Sequence, residues 1–214
     1  MSSASWQGHT GAPTRLVLVR HGQTELSVHR RYSGRGDPPL TETGRRQAEA
    51  AAARVAAERR VDAVVTSPLQ RTRDTARAIT DRIGGTATVL DALVENNFGD
   101  WEGLTFTEAA TRDPEIHRRW LGDSTVPAPG GESFADTARR VIDCAEELVE
   151  RYPGGTVVIV SHVTPIKSLL RHALAVGPEL LFRLHLDLAS VSVAEFYPDG
   201  GTVVRSANET AHLV

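Results

Sequence analysis

A chain of 214 residues, 40% hydrophobic and 24% charged, is long enough to bury the core of one domain, or of one domain with a small subdomain. Its formal net charge of −3 leaves no basic excess for nucleic acid or an anionic membrane surface, and no stretch reaches the length of a membrane span. A single cysteine, Cys144, excludes an internal disulfide; with a start that lacks the basic and apolar runs of a secretory signal, this predicts a cytoplasmic protein.

Residues 1–14 are small, polar and rich in Gly and Ser. They read as a disordered tail or the remnant of a linker, which puts the folded domain at 15–214. Residues 15–20 are a short buried strand. Thr41 then caps a helix whose Ala48, Ala52 and Val55 recur on one face. VDAVVTS (61–67) is the next strand, followed at once by a helix through Arg71, Thr75 and Ile79. TATVL (86–90) is a third strand, 105–121 is helical, and 124–133 is a loop. Ser133 opens a helix with the apolar stripe Phe134, Ala138, Val141, Ala145 and Leu148. Cys144 lies at an apolar position of that helix and reads as a structural thiol. GGTVVIVSH (154–162) is apolar on both faces, as a fully buried strand must be. A helix follows from about Pro165, and 190–197 and 202–206 flank PDGG, a hairpin signal. No internal repeat is present. The alternation predicts a three-layer α/β/α domain with a mostly parallel central sheet and an antiparallel edge strand.

Ligands of open α/β sheets bind outside the carboxyl ends of the strands. The first strand ends in Arg20-His21-Gly22-Gln23-Thr24. The second ends in Thr66-Ser67, with Arg71 one turn into its helix. The third leads to Glu95, and the buried strand ends in His162. Each of these residues has a plainer reading alone: a satisfied polar strand end, a surface charge, a solvated acid. Together they suit phosphoryl transfer. Two guanidiniums bind a phosphate in forked geometry. One histidine attacks phosphorus and a second, cationic, neutralises oxygen charge. A carboxylic acid protonates the departing oxygen. Gly22 is expected to let the backbone approach the phosphate. There is no CxxC or HExxH, so neither metal nor cofactor is expected. His9, His29, His117, His172, His185 and His212 fall in tails, loops or helical patterns and are read as non-catalytic.

At these residues the chain resembles the histidine phosphatase superfamily, the phosphoglycerate-mutase-like group. The resemblance rests on Arg20-His21-Gly22 with Thr24, YSGRGDPPLTETGRRQA (32–48), TSPLQRTRDTA (66–76), LVENNFGDWEG (93–103) and VIVSH (158–162), and runs from about residue 15 to 197. It implies that His21, Glu95 and His162 are catalytic, with a phosphohistidine on His21. Arg20, Arg71 and His162 would bind phosphate, helped by Gln23, Ser27, Ser33 and the Val163 amide, with Thr24 as a buttress and no metal. Three departures stand out: Val163 where the family often has glycine or alanine, Ser27 where the mutase branch usually has asparagine, and a short span between Glu95 and His162. The last two favour a phosphatase.

Within the phosphatases the chain looks most like actinobacterial α-ribazole phosphatase-like and acid phosphatase domains. Some of these are fused C-terminally to an RNase H-type domain. The likeness implies a small-molecule phosphate monoester as substrate (α-ribazole phosphate-like, a sugar phosphate or a phosphoglycerate), broad acid phosphatase activity, and an upstream RNase H-type domain in a longer chain. Nucleic acid and membrane are not expected partners. The alternatives are a cofactor-dependent phosphoglycerate mutase and a non-catalytic module that binds a phosphorylated ligand. Specificity is assigned to 28–39, 96–131 and the residues after His162, with Arg30, Arg31, Arg35, Trp101 and Trp120 as the candidate contacts; for the two tryptophans, packing is an equal reading.

Overall fold

The computed structural model describes residues 8–213. The apolar runs become six strands: β1 (Thr14–Arg20), β2 (Ala63–Thr66), β3 (Ala87–Val89), β4 (Thr156–Ser161), β5 (Val191–Phe196) and β6 (Thr202–Glu209). They lie in one sheet in the order β3-β2-β4-β1-β5-β6. The first four in that order run parallel, and β5 pairs antiparallel with both β1 and β6. The expected antiparallel edge is therefore a two-strand hairpin.

The centre of the sheet is apolar on both sides because it is covered on both sides. Leu16 and Leu18 of β1 face Val141, Ala145 and Leu148 of α6 (Phe134–Arg151) and Ile166, Leu169 and Leu170 of α7 (Val163–Leu174). Val17 and Val19, one residue out of phase, face Ala48, Ala52 and Val55 of α2 (Glu42–Val55) and Ala76 and Ile79 of α3 (Gln70–Ile83). Each fully buried aliphatic chain contributes about 1.5–3 kcal/mol by leaving water. These two layers and the sheet make the predicted α/β/α sandwich.

The helix starts follow local chemistry. Thr41 Oγ1 accepts from Gly44 N–H, and Ser133 Oγ accepts from Asp136 N–H. The single helix expected over 105–121 is two, α4 (Phe106–Arg112) and α5 (Pro114–Gly122). Pro114 lacks an N–H and pushes Asp113 out of helical geometry, so one helix ends where the next begins. Two one-turn helices were not legible in the pattern, α1 (Glu25–Val28) and α8 (Leu180–Arg183). Helix α7 starts at Val163, two residues before Pro165, because proline is tolerated in a first turn. A third apolar cluster (Phe98, Trp101, Trp120, Phe134, Leu181) gathers the segment after β3 into a cap beside the carboxyl edge of the sheet.

The tail expected at 1–14 is described only in part. Residues 1–7 lie outside the described residues. Residues 8–13 run beside the β5–β6 turn, where His9 stacks on Tyr197 and Thr10 N–H donates to Asp199, and Thr14 already belongs to β1.

Gly22 has a role different from the one expected. A Cβ there would press into the backbone carbonyl of Gly44, and one on Gly44 would press into the carbonyl of Gln23. The missing side chains let the loop after β1 lie against the first turn of α2; they do not open a path to a ligand. Gly22→Ala is therefore expected to destabilise by about 1–3 kcal/mol, as overpacking does, at about 2–4 °C of Tm per kcal/mol for a chain of this size. An unchanged melting temperature would contradict this account of the contact.

Candidate active site

Parallel pairing of β1 with β4 sets Arg20 opposite Ser161, so the next residues, His21 and His162, are neighbours, with ring centroids 5.1 Å apart and edge-to-face. β2 ends at Thr66, and α3 carries Arg71 in its first turn. The chain after β3 makes a short turn over Asp91–Leu93 and delivers Glu95. His21, Glu95, His162 and Arg71 are all buried.

His21 Nδ1 lies 2.7 Å from the Gly22 carbonyl. That carbonyl can only accept, so the ring proton sits on Nδ1 and Nε2 carries the lone pair. Burial, and then Arg71 and Arg20, push the His21 pKa well below 6.5, so the ring is neutral at pH 7. Arg20 Nη1 donates to the Leu186 carbonyl at 2.6 Å, while its buried Nε has no protein partner. Burial lowers its pKa to about 10 against the pull of Glu95 and Asp187, which still leaves it charged at pH 7.

Arg71 is fully buried and donates to the carbonyls of Ser33, Gly34 and Gly36. Glu102 holds that same loop from the other side by accepting from Gly34 and Gly36 N–H. Glu102 is thus a clamp on the Arg71 loop. Burial lowers the Arg71 pKa, opposed by Glu95, Asp37 and Glu102.

His162 differs from expectation. Its Nε2 is 2.8 Å from Ser67 Oγ, and Nδ1 is buried without a partner. Burial, with Arg71, His21 and Arg20 facing it, pushes its pKa well below 6.5. The ring is neutral at pH 7; it is not the cation anticipated. The cluster already holds two guanidiniums, and a third buried positive charge is too costly.

Glu95 accepts from Asn96 N–H at 2.8 Å and from Thr164 N–H at 3.2 Å, near the start of α7. Burial raises its pKa above 4.5 and outweighs those donors and Arg71. Its loop is pinned by Arg140 of α6, which donates to the carbonyls of Ala92, Val94 and Glu95 and forks onto Glu132. Arg140 was not singled out in the sequence, because the loop carbonyls it holds, those of Ala92, Val94 and Glu95, lie more than 40 residues away.

The supporting residues divide. Ser33 Oγ is buried, has no partner and belongs to a residue lining the cavity. Val163 also lines the cavity, and at the first position of α7 its N–H has no acceptor within the helix. Ser27 lines the cavity too, but its Oγ accepts from Thr24 N–H and donates to Thr24 O, closing a capping box for α1. Thr24, buried, completes that box, as a buttress would. Gln23 is turned away: its Oε1 accepts from Thr41 Oγ1, and it does not line the cavity.

The cavity has a volume of about 730 Å³. Arg20, His21 and Glu95 line it (Arg71 and His162 are not among its lining residues), together with Tyr32, Phe98, Phe106, Trp120, Phe134 and Phe182. Those six come from a total of 5 Phe, 3 Trp and 3 Tyr in the chain, so more than half of its aromatic rings line one space. Phe106 and Phe182 are 50% and 42% exposed, against the usual rule for large apolar rings. Trp101 is not at the mouth; it is fully buried and donates to Asp113. Arg30 and Lys167 also line the cavity, and Lys167 Nζ donates to the Leu181 carbonyl at 2.7 Å. Arg31 is engaged by Glu108 and Arg35 by Glu132. His185, read as non-catalytic, lines the rim paired with Asp187.

Among the described residues, no group of three or more His, Cys, Asp or Glu side chains is placed to hold a metal ion, and no helix is long and apolar enough to cross a membrane. Cys144 is buried, and burial pushes its thiol up to about 11, so it is not a thiolate nucleophile.

A family model described as the histidine phosphatase superfamily (branch 1) matches residues 16–209. The bifunctional protein Rv2228c of Mycobacterium tuberculosis is 57% identical over 212 residues, covering 99% of this chain and 58% of that protein. The chain thus spans little more than half the length of that relative. Phosphoserine phosphatase 1 of Hydrogenobacter thermophilus is 34% identical, covering 93% and 94%. Among solved structures, a mycobacterial glucosyl-3-phosphoglycerate phosphatase superposes with a TM-score of 0.83 at 32% identity, covering 92% and 100%.

Proposed function

The chain belongs to the histidine phosphatase superfamily, and from that membership we propose that it hydrolyses a small phosphate monoester through a phosphohistidine on His21. The observation that carries this reading is the state of His21: a neutral ring whose Nδ1–H is fixed on Gly22, leaving an Nε2 lone pair among Arg20, Arg71 and His162. In the first step Nε2 attacks phosphorus, the P–O ester bond breaks, and protonated Glu95 gives its proton to the departing oxygen. In the second, carboxylate Glu95 takes a proton from water as the water oxygen attacks phosphorus, and the P–N bond returns its electron pair to Nε2. Arg20 and the amide of Val163 carry the growing oxygen charge at the cavity; Arg71, whose Nη atoms are held by the carbonyls of Ser33, Gly34 and Gly36, adds its charge and its unpartnered Nε from behind the lining, as positioning and electrostatics do in phosphoryl transfer generally. Ser33 is proposed as a further contact. Ser27 and Gln23, with side chains engaged elsewhere, are dropped from that role.

The positive charge in this mechanism comes from side chains, so the enzyme is proposed to be metal-independent. Turnover of an aryl phosphate is expected to persist in excess EDTA. Loss on chelation, restored by Mg²⁺ or Zn²⁺, would contradict the assignment of those charges.

For the substrate, the aromatic lining supports a leaving portion with a flat apolar face, such as the base of an α-ribazole phosphate-like compound. Lys167 and Arg30 favour a second reading, a substrate with an added carboxylate of the phosphoglycerate or phosphoserine type. A screen of the purified protein against phosphate monoesters separates them: the first expects the highest kcat/KM for aromatic nucleotide-like esters, the second for carboxylated ones. Interconversion of phosphoglycerates dependent on a bisphosphate primer would instead indicate a mutase, and binding of phosphate without hydrolysis a non-catalytic module.

A cytoplasmic location is proposed with this, since the one thiol is buried and reduced chemistry suffices. The RNase H-type domain upstream is also a proposal; what supports it is the extra length and the bifunctional name of the mycobacterial relative.

A further inference from the structure

We propose that Ser67 is a positioning residue that fixes the tautomer of His162, so that the ring presents Nδ1–H to the phosphoryl oxygens. This rests on the phosphatase reading above. Ser67 is held firmly: its N–H donates to Val160 O, and its own carbonyl accepts from the hydroxyls of Thr66 and Thr72. Its Oγ accepts from Leu69 N–H at 3.4 Å and lies 2.8 Å from His162 Nε2. A serine hydroxyl has one proton to give. With Leu69 N–H already on the oxygen, His162 Nε2 is the acceptor within reach for that proton. The ring's own proton must then sit on Nδ1.

The opposite arrangement fails twice. If Nε2–H donated to Ser67, the hydroxyl proton would be left without an acceptor in a buried place. Nδ1 would then turn a lone pair toward the anion that Arg20 and Arg71 attract. Nδ1 is the ring's remaining polar atom, buried and without a protein partner. A buried N–H of that kind is costly unless something accepts from it. The His162 ring is edge-to-face with His21 at 5.1 Å, so one phosphoryl group on His21 is close enough to be that acceptor. His162 then acts as a hydrogen-bond donor of fixed direction, and the cluster avoids a third positive charge beside Arg20 and Arg71.

The test is long-range ¹H–¹⁵N spectroscopy of ¹⁵N-histidine-labelled protein at neutral pH, with His162→Asn used to assign the signals. The wild type is expected to show a protonated Nδ1 and an unprotonated Nε2 on His162. Protonated Nε2, or a ring protonated on both nitrogens, overturns the proposal even if no variant folds. Ser67→Ala is expected to lower kcat/KM for p-nitrophenyl phosphate by about 10- to 100-fold, the range for one hydrogen bond to a charged group, and to mix the tautomers. Ser67→Thr, which keeps the hydroxyl, is expected to restore both. A rate loss in Ser67→Ala with the tautomer unchanged, or no rate loss, also overturns it. If the wild type fails to turn over p-nitrophenyl phosphate, the phosphatase reading has failed, while the wild-type spectrum still decides the tautomer.

Discussion

His21→Ala is expected to reduce kcat by about 10⁴-fold or more, with the fold intact. Loss of a nucleophile removes the covalent route outright, and single knock-outs of such groups commonly cost this much or more. No neighbour can substitute. His162 Nε2 is engaged by Ser67 and its ring centroid lies 5.1 Å away, and Glu95 is buried against the start of α7. The His21 ring contributes one hydrogen bond, to Gly22, and borders a cavity, so truncation leaves the core of the sheet untouched. Retention of a tenth or more of wild-type kcat, a loss of about 1.4 kcal/mol at most, would remove His21 from the role proposed for it.

The second large effect separates acid catalysis from packing. Glu95→Gln keeps the shape and still offers an oxygen to Asn96 and Thr164 N–H, but it has no proton to give. The loss should reach about 10²–10⁴-fold for alkyl phosphates, the usual size of general acid–base catalysis. It should be smaller for p-nitrophenyl phosphate, whose phenolate leaves without help. The pH profile carries the same signature with a definite sign. Burial raises Glu95 above 4.5, so its protonated, active form extends toward neutral pH and is lost as pH rises through that raised pKa. Burial lowers His21 well below 6.5, so its neutral, active form survives into acid. The two together predict an acid-shifted optimum for alkyl esters, with an alkaline limb that Glu95→Gln abolishes. Equal small losses on both substrates, with the limb unchanged, would assign the proton elsewhere.

Much of the fold and the centre of the site was legible because each rests on local pattern. β1 and β4 are continuous apolar runs, and a run with no polar face can only sit in the middle of a covered sheet. That placement brings Arg20, His21 and His162 together at one edge of the sheet. What escaped the sequence was set at long range. Arg140 and Glu102 act on loops far away in the chain, and neither position differs in pattern from an ordinary surface charge. Gly22 was assigned to ligand access, whereas its neighbour is Gly44, more than 20 residues on. Ser27 and Gln23 have the right chemistry for phosphate, but local capping and Thr41 engage them first. The charge of His162 was not legible, since it depends on burial and on the neighbouring guanidiniums. Phe182 and His185 reach the cavity from one-turn helix α8 and the loop after it, which the periodicity did not show, whereas Lys167, one turn into α7, falls among the residues after His162 already assigned to specificity. The Asp113–Pro114 break has a local cause in the sequence, but the helical pattern on both sides of it reads as one helix.

The central claim is the covalent intermediate, and trapping it is the most direct test. The enzyme is mixed with an excess of ³²P-labelled aryl phosphate and quenched in alkali within milliseconds, conditions under which a phosphorus–nitrogen bond to imidazole survives and acid would cleave it. The account predicts label on the protein, chased away by unlabelled substrate at the turnover rate, mapped to the peptide that carries His21 and absent from His21→Ala. Full turnover with no label on the protein, or stoichiometric label on a residue other than His21, would contradict it.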